Sequence, residues 1–456
     1  MRKIMDIDPW ASKGIKNYDK ICEKFGLEKI DHTTLPEPTH LHRRGIIFAH
    51  RDLDSILNAR KAGKPFGVLS GLMPSGQMHL GHKMVIDQAR WFQDLGGDVT
   101  IAVADLEAHA TRGLSLEKCR KYAAEEYISN YAGMGLNPDK TSIYFQSERA
   151  IVQKMGFTLG TKTNLSEMEA IYGFSGKTSL AHVQSPLVQA GDIVHPQLEE
   201  YGGLRPIVVP VGMDQDPHIR LTRGMVSKTN WFNVNKNKLG NLTIGLSIQD
   251  NNQDIMGMRN DGGVDKTQRK IVIDKAISAI NKAGYNQINS NPKHGTIDIK
   301  DATAENYSEV QYELLSLERQ LGGMGLMQPS STYHQFAVGM TGGKMSSSMP
   351  ETTIFLNDST KTIEKKIKSS FSGGQPTVEE HRKKGGNPDI DVAYQYLRYF
   401  FEENDNELEK IREEYVSGKL LTGEIKSICI EKAESWMKEH HELKEQNQHL
   451  IKDFLS

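Results

Sequence analysis

The chain contains few cysteines, and their spacing excludes two common kinds of site. Its three cysteines are Cys22, Cys119 and Cys429, and no two of them form a C-x-x-C pair. A disulfide framework or a zinc site needs several cysteines at short, regular spacings. We therefore expect reduced thiols, and the cytoplasm is the simplest compartment that keeps them so.

The chain also lacks a long apolar run and a strong net charge. No stretch approaches the roughly 20 apolar residues that span a bilayer. The first residues turn acidic at Asp6 with no apolar stretch behind them, so we expect neither a membrane span nor a secretion signal.

A net charge of −2 gives no general attraction to nucleic acid. Contact with RNA would need local basic patches, such as 361–368 or 382–384, and each of these could equally be a solvated helix face.

The chain does contain an alternation of apolar segments with helix-like patterns. Short apolar segments, each of which predicts a strand, occur at 66–69, 99–104, 143–145 and 207–211. Apolar residues at helical spacing separate these segments. Strands that alternate with helices predict an α/β fold, built on a Rossmann-type parallel sheet with βαβ crossovers.

Changes in composition divide the 456 residues into three parts. Residues 1–65 form an N-terminal appended segment, residues 66–355 the parallel-sheet domain, and residues 356–456 a helical C-terminal domain. Two stretches interrupt the sheet domain. Residues 150–205 have mixed polarity, and residues 229–326 are a small insertion rich in Asn, Gly and Lys.

The first motif that indicates chemistry is the loop Pro74-Ser75-Gly76-Gln77-Met78-His79-Leu80-Gly81-His82. A glycine-rich turn that enters a helix forms a phosphate cradle, because backbone N–H groups and the helix dipole face the anion. His79 and His82 lie three residues apart, so both imidazoles can reach phosphate oxygens. Gly76 belongs to the turn, and Gly81 lets a flat adenine ring approach the backbone. Alternatively, one histidine caps the helix and the other lies on the surface.

The second motif is the loop Gly342-Gly343-Lys344-Met345-Ser346-Ser347-Ser348. Its glycines permit the loop to close over a substrate. The ammonium group of Lys344 suits the charge that grows as pyrophosphate departs, and Ser346 and Ser347, which flank Met345 on its C-terminal side, can add donors. A lysine in such a loop is usually a surface residue. The prediction of one ATP site therefore depends on the two motifs occurring together.

A third element, Gly212-Met213-Asp214-Gln215, follows the predicted strand at 207–211. Open α/β sheets bind ligands beyond the carboxyl ends of their strands. A carboxylate in such a turn commonly binds ribose hydroxyls, which makes Asp214 the candidate. Alternatively, Asp214 has only a structural role and stabilises the turn.

Four longer stretches are more specific than these short motifs, and they lie at 214–223, 371–374, 377–382 and 385–392. They resemble stretches of the archaeal and eukaryotic tryptophanyl-tRNA synthetases, and the two loops resemble the signature motifs of class I aminoacyl-tRNA synthetases. The likeness covers most of 66–226 and 327–435.

The resemblance implies a two-step reaction that uses ATP, Mg²⁺, L-tryptophan and tRNA(Trp). The amino acid is activated to tryptophanyl-adenylate, and its acyl group then passes to the 3′-terminal adenosine of the tRNA. Mg²⁺ comes with the nucleotide, and no metal site of the protein is implied. The family also implies a homodimer, with 150–205 shaping the amino acid pocket and the dimer interface, and an anticodon-binding role for 356–456.

For the amino acid pocket, the resemblance implies Glu107, Gln189, Asp192 and Gln215. Glu107 falls where the eukaryotic tryptophanyl type has an indole-binding glutamate. An aspartate that matches Asp192 binds the indole N–H in bacterial tryptophanyl enzymes and the phenol in tyrosyl enzymes. Either carboxylate could accept from indole, which is only a donor. Any one of the four could instead satisfy local hydrogen bonds.

Leu69 and Ala102 depart from the family pattern. The tyrosyl and eukaryotic tryptophanyl types have tyrosine at the first position, and the latter type has glutamine at the second. Because this chain has leucine and alanine at these positions, the residues that recognise the amino acid side chain are left open. The change does not favour a tyrosyl enzyme, because selection of a phenol needs hydrogen-bond partners for its hydroxyl. Three other readings stay open: a tyrosyl-tRNA synthetase, which shares the fold and both motifs; a paralogue that binds nucleotide or RNA without charging tRNA; and a nucleotidylyltransferase. Nucleotidylyltransferases lack the four longer stretches.

Overall fold

The computed structural model describes residues 18–248, 266–343, 345 and 349–455. Three of the predicted nucleotide-binding residues, Lys344, Ser346 and Ser347, lie outside the described residues. Met345, which lies between Lys344 and Ser346 in the sequence, belongs to the described residues, and its side chain is buried.

The strands form two sheets. In chain order they are β1 (Glu28–Lys29), β2 (Ile47–Arg51), β3 (Gly67–Leu72), β4 (Asp98–Val103), β5 (Thr141–Phe145), β6 (Ile207–Gly212), β7 (Phe232–Lys236), β8 (Asn241–Leu246), β9 (Ile288–Asn291), β10 (Thr296–Thr303) and β11 (Ser330–His334). The larger sheet has the order β1-β2-β11-β6-β3-β4-β5. Its last five strands are parallel, which confirms the predicted sheet. The segment before residue 65 adds β1 and β2 as an antiparallel edge.

Helices lie between the strands and dominate the C-terminal part. They are α1 (Tyr18–Phe25), α2 (His40–Arg43), α3 (Leu53–Lys61), α4 (Leu80–Asp94), α5 (Asp105–Arg112), α6 (Leu116–Tyr122), α7 (Ser129–Gly133), α8 (Ala150–Gly160), α9 (Leu165–Tyr172), α10 (Leu180–Val194), α11 (Asp216–Thr229), α12 (Lys266–Lys282), α13 (Tyr307–Gln320), α14 (Thr360–Lys368), α15 (Val378–Lys384), α16 (Val392–Tyr396), α17 (Asp405–Val416) and α18 (Thr422–Gln446). In the described part of the chain, none has the length and apolar content needed to cross a membrane.

Alternate residues of the central strands face two separate cores. Val68 and Ile101 lie in a core with Phe92 of α4. Leu69, the neighbour of Val68 on β3, lies in a second core with Ile193 of α10. A parallel strand that is covered on both faces carries apolar residues without alternation. For this reason short apolar segments predicted these strands correctly.

The order of the strands defines where a ligand can bind. The chain runs from β3 outward to β4 and β5, then returns to the other side of β3 to form β6 and β11. In open α/β sheets, such a reversal leaves a crevice at the carboxyl ends of the strands. The first motif follows β3, Asp214 follows β6 and Glu107 follows β4. All three are thus at the same edge of the sheet.

The insertion at 229–326 is a compact unit with its own sheet, which the sequence analysis did not predict. Its strands have the order β7-β8-β10-β9 and are antiparallel. Leu242, Ile244, Ile297 and Ile299 alternate with polar residues and pack on the same core as Val272 of α12. Alternation with a period of two is the signature of a half-buried strand, so the signal was present in the sequence.

Buried polar side chains join the two ends of this insertion. The carboxylate of Glu318 on α13 accepts the backbone N–H groups of Trp231, at 2.8 Å, and Gly325, at 3.0 Å. The side chain of Asn230 pairs with both backbone groups of Leu326, at 2.7 and 3.0 Å. The insertion therefore leaves and rejoins the sheet domain at one clamped point.

We expect Glu318→Ala to lower the free energy of unfolding by about 3 kcal/mol, because it leaves buried N–H donors without an acceptor. Urea unfolding measures this change. Glu318→Gln, which keeps an acceptor, should lose less, and Glu313→Ala on the same helix is the control. Equal stability of the Glu318→Ala and Glu313→Ala proteins would show that the clamp contributes nothing.

Candidate functional site

The two histidines of the first motif cap helix α4 reciprocally. The N–H of Gly81 donates to Nδ1 of His79, and the N–H of His79 donates to Nδ1 of His82, both at 3.1 Å. The two ring centroids lie 4.0 Å apart. Because each Nδ1 accepts a backbone proton, a neutral ring must carry its own proton on Nε2. Each imidazole is thereby fixed as an Nε2–H donor.

His82 acts in this arrangement as a neutral imidazole. Burial lowers its pKa to about 4, so the ring is uncharged at neutral pH. The edge of the Tyr127 ring packs on it, with centroids 5.8 Å apart. A backbone hydrogen bond also joins Gly76 to the Tyr127 hydroxyl. Tyr127 therefore holds the glycine-rich loop and the second histidine together.

The prediction that backbone N–H groups at the start of α4 face an anion is wrong. The N–H of Leu80 donates to the carbonyl of Ile354, at 3.2 Å, and that of His82 donates to the carbonyl of His79, at 2.8 Å. The N–H of Gly81 is taken by the His79 ring. These donors already have partners. These three N–H groups therefore do not form the anion site that was expected at the helix start.

A backbone pairing brings the chain that follows the second motif against the first motif. The segment at 354–356 runs antiparallel to the segment at 78–80, with a bridge between His79 and Phe355. On either side of this bridge, the N–H of Leu80 donates to Ile354 and the N–H of Leu356 donates to Met78, at 3.2 and 2.9 Å. Two distant parts of the chain are thereby joined at the nucleotide loop.

Met345, the residue after Lys344, packs on the first motif. A Cβ added to Gly81 would lie 3.6 Å from Sδ of Met345 and 2.9 Å from the His79 ring. The lack of a side chain at Gly81 is thus required by the protein itself, in addition to any approach of adenine. The structure brings His79, Gly81, His82 and Met345 together.

The loop that carries Met345 has an ordered stem after β11. The N–H of Met340 donates to the carbonyl of Thr352, at 2.9 Å, and the N–H of Gly339 donates to Gly343, at 2.6 Å. Gly342 has φ +80, a left-handed conformation that favours glycine. The described part of this stem therefore follows β11 at the carboxyl edge of the sheet.

Asp214 and Gln215 lie directly after β6, at the reversal of strand order. A Cβ added to Gly212 would lie 2.8 Å from Oδ1 of Asp214 and 2.9 Å from the Phe336 ring. Gln215 is the N-cap residue of α11. Both side chains are half-buried at the edge where the first motif lies.

The other predicted pocket residues come from α5 and α10. Gln189 and Asp192 are three residues apart on α10, so they share a helix face. Burial raises the pKa of Glu107 and of Asp192 to about 7, and the charge of Glu107 contributes to the shift of Asp192. Two carboxyl groups with raised pKa values at a sheet edge are typical of a functional site.

Both oxygens of Asp192 already accept a hydrogen bond. The Tyr144 hydroxyl donates to Oδ1 and the Gln146 amide donates to Oδ2, each at 2.5 Å. Sequence reasoning missed Tyr144 and Gln146, which belong to β5 and the residue after it. Tyr144 lies opposite Ala102 in the sheet, and Ala102 lies opposite Gly71. The register of three strands therefore places Tyr144 beside Ala102, the position at which this chain differs from the family pattern. No local sequence pattern reveals this register.

Comparison with known proteins gives the family. A family model described as tRNA synthetases class I (W and Y) matches residues 61–250 and 303–438. A tryptophan--tRNA ligase of Methanosarcina acetivorans is 40% identical over 449 residues, which cover 96% of each protein. One of Archaeoglobus fulgidus is 39% identical over 443 residues, which cover 96% of this chain and 97% of that protein.

A solved structure gives the same result. The crystal structure of tryptophanyl-tRNA synthetase from Aeropyrum pernix K1 has a TM-score of 0.72 and 33% sequence identity, and the match covers 99% of each chain. The family model leaves out 251–302, the part of the insertion that contains α12 and β9. The chain belongs to the class I tRNA synthetases for tryptophan and tyrosine, and the relatives that it matches along its length are tryptophan--tRNA ligases.

Proposed function

We propose that the chain is an ATP-dependent tryptophan--tRNA ligase. It activates L-tryptophan with ATP and transfers it to the 3′-terminal adenosine of tRNA(Trp). The observation that carries this proposal is the packing of Met345 beside Gly81, in a chain that matches tryptophan--tRNA ligases along its length. That packing supports a single nucleotide site built from both motifs.

In the first step, a carboxylate oxygen of tryptophan bonds to the α-phosphorus of ATP. The bond from that phosphorus to the bridging oxygen breaks, and pyrophosphate leaves with the electron pair. The enzyme needs no nucleophile, because positioning and charge stabilisation supply the rate. The Nε2–H groups of His79 and His82 donate to phosphate oxygens, and Lys344 neutralises the leaving pyrophosphate. Mg²⁺ enters with ATP, and Asp214 accepts from the ribose.

In the second step, a hydroxyl oxygen of the terminal adenosine bonds to the adenylate carbonyl carbon. The bond from that carbon to the phosphate oxygen breaks, AMP leaves with the electron pair, and the hydroxyl proton passes to the phosphate or to water. The helices from α14 to α18 would receive the anticodon. Much of the predicted basic patch at 361–368 is already neutralised, because Lys366 pairs with Asp358 and Lys368 with Glu364, both at 2.6 Å. Lys361 and Lys365 are exposed on the same helix and remain candidates for contact with RNA.

A homodimer is supported by apolar side chains on the region at 150–205. Phe157 on α8, Leu165 on α9 and Leu180 on α10 are 77%, 58% and 86% exposed. Large exposed apolar groups on neighbouring helices favour an interaction surface. Sedimentation equilibrium should give about twice the 51.1 kDa mass of one chain, and a monomer at micromolar concentration would exclude this proposal.

A cytoplasmic location is supported by the thiols. Cys22, Cys119 and Cys429 are free and buried. Unpaired buried cysteines suit a reducing compartment, where disulfides are rare. Fractionation of cells that express the protein would test the location, and recovery from a membrane or secreted fraction would contradict it.

The substrate is tested by ATP–pyrophosphate exchange with each of the twenty amino acids. We expect tryptophan to support exchange at least about 100-fold better than tyrosine, since tyrosine cannot fill an indole site. Charging of tRNA(Trp) with labelled tryptophan is the second readout. Preference for tyrosine would identify the tyrosyl alternative, and exchange without charging would favour a different function.

Two substitutions of His82 separate its capping role from its chemical role. Asn places an oxygen where Nδ1 accepts from His79 but removes the Nε2–H donor. We therefore expect His82→Asn to fold normally and to slow pyrophosphate exchange about 100-fold. Gln carries a donor to the Nε2 position, so His82→Gln should retain more activity. Exchange at the wild-type rate in His82→Asn would exclude this donor from the reaction.

A further inference from the structure

Gln146 carries a buried acceptor that the protein leaves without a partner. It follows β5 at the carboxyl edge of the sheet and is 2% exposed. Its Nε2 donates to Asp192, but no group of the described residues donates to its Oε1. A buried polar atom without a hydrogen bond costs free energy, so it needs an explanation. A bound ligand with an N–H or O–H group can supply the missing donor.

Asp192 and Tyr144 fix the direction of this acceptor. A carboxylate only accepts hydrogen bonds, so the NH₂ end of the Gln146 amide must face Asp192 and the carbonyl end must face away. The Tyr144 hydroxyl occupies the other oxygen of the same carboxylate, at 2.5 Å. Burial raises the pKa of Asp192 while these two hydrogen bonds lower it, to about 7 in balance, and the ionised form of the carboxylate holds the NH₂ end of the amide towards it.

The acceptor lies on the face of the sheet that the predicted amino acid pocket occupies. Ala102 lies between Gly71 and Tyr144 in the strand register, so Leu69, two residues before Gly71, shares their face. Asp192 on α10 covers this face through its bonds to Tyr144 and Gln146. Leu69 and Ala102 give the pocket apolar walls, and neither side chain can accept a hydrogen bond.

The chemistry of the missing donor matches one atom of the substrate. The indole of tryptophan has a single polar group, an N–H that can donate and cannot accept. Each oxygen of Asp192 already accepts one bond, whereas Oε1 of Gln146 accepts none from the described residues.

We infer that Oε1 of Gln146 accepts the indole N–H of the substrate, and that Asp192 and Tyr144 are positioning residues for this acceptor. The inference rests on the proposed function. It explains how a pocket that has Leu69 and Ala102, where the eukaryotic tryptophanyl type has tyrosine and glutamine, recognises an indole. The hydrogen-bond acceptor comes from the residue after β5.

The test compares tryptophan with L-3-benzothienylalanine, in which sulfur replaces the indole N–H. The measured quantity is the ratio of kcat/KM for the two amino acids in ATP–pyrophosphate exchange. We expect the wild-type protein to prefer tryptophan at least about tenfold. In Gln146→Met, which keeps the side-chain length but has no carbonyl, the ratio should fall towards one while the KM for ATP is unchanged.

The matched control is Gln153→Met. The Gln153 amide donates to the backbone carbonyl of Gln146, at 3.0 Å, and not to its side-chain carbonyl, so the wild-type ratio should persist. If Gln146→Met does not fold, Gln146→Asn serves instead, because its amide is one carbon too short to reach and the ratio should again fall.

Two results would overturn the inference: a wild-type ratio near one, or a Gln146 variant that folds, loses activity on both amino acids equally and so keeps the wild-type ratio. Failure of the proposed function has a different signature, namely no tryptophan-dependent exchange by the wild-type protein.

Discussion

The active-site arrangement depends on a short antiparallel pairing between 78–80 and 354–356. Its hydrogen bonds tie the chain that follows the lysine loop to the turn where α4 begins. Met345 packs over Gly81, with its Sδ 3.6 Å from the position that a Cβ at this glycine would take. Without this pairing, the two motifs would be separate loops on one sheet edge. With it, groups far apart in sequence can contact one triphosphate.

The parallel sheet supplies the frame for that pairing. Its central strands are buried on both faces and mostly apolar, and the predicted site residues follow the ends of the strands. The loops after β3, β4, β5, β6 and β11 meet at one edge because the strands are parallel. Polar groups at this edge are held by other protein groups, as with the reciprocal caps of His79 and His82 and the bonds to Asp192. The site is therefore largely preorganised, which lowers the cost of positioning substrates.

The sequence predicted those features that depend on local pattern. Apolar segments marked β3, β4, β5 and β6, whereas the nucleotide site at the two glycine-rich loops stays a prediction. The direction of the α4 amides was predicted wrongly, because a histidine ring can cap a helix as a serine does and the motif does not show which donors it consumes. Gln146 was missed because its role arises from the register of β5 and from Asp192 on α10, which are not visible in one segment. The roles of Lys344, Ser346 and Ser347 stay predictions.

The central claim is that the imidazoles of His79 and His82 and the ammonium group of Lys344 contact the same nucleotide. A crystal structure of the protein with a non-hydrolysable ATP analogue tests it most directly. The account predicts phosphate oxygens within about 3 Å of Nε2 of both histidines and of Nζ of Lys344. A triphosphate bound with its oxygens turned away from the histidines, or with Lys344 remote from it, would contradict the account.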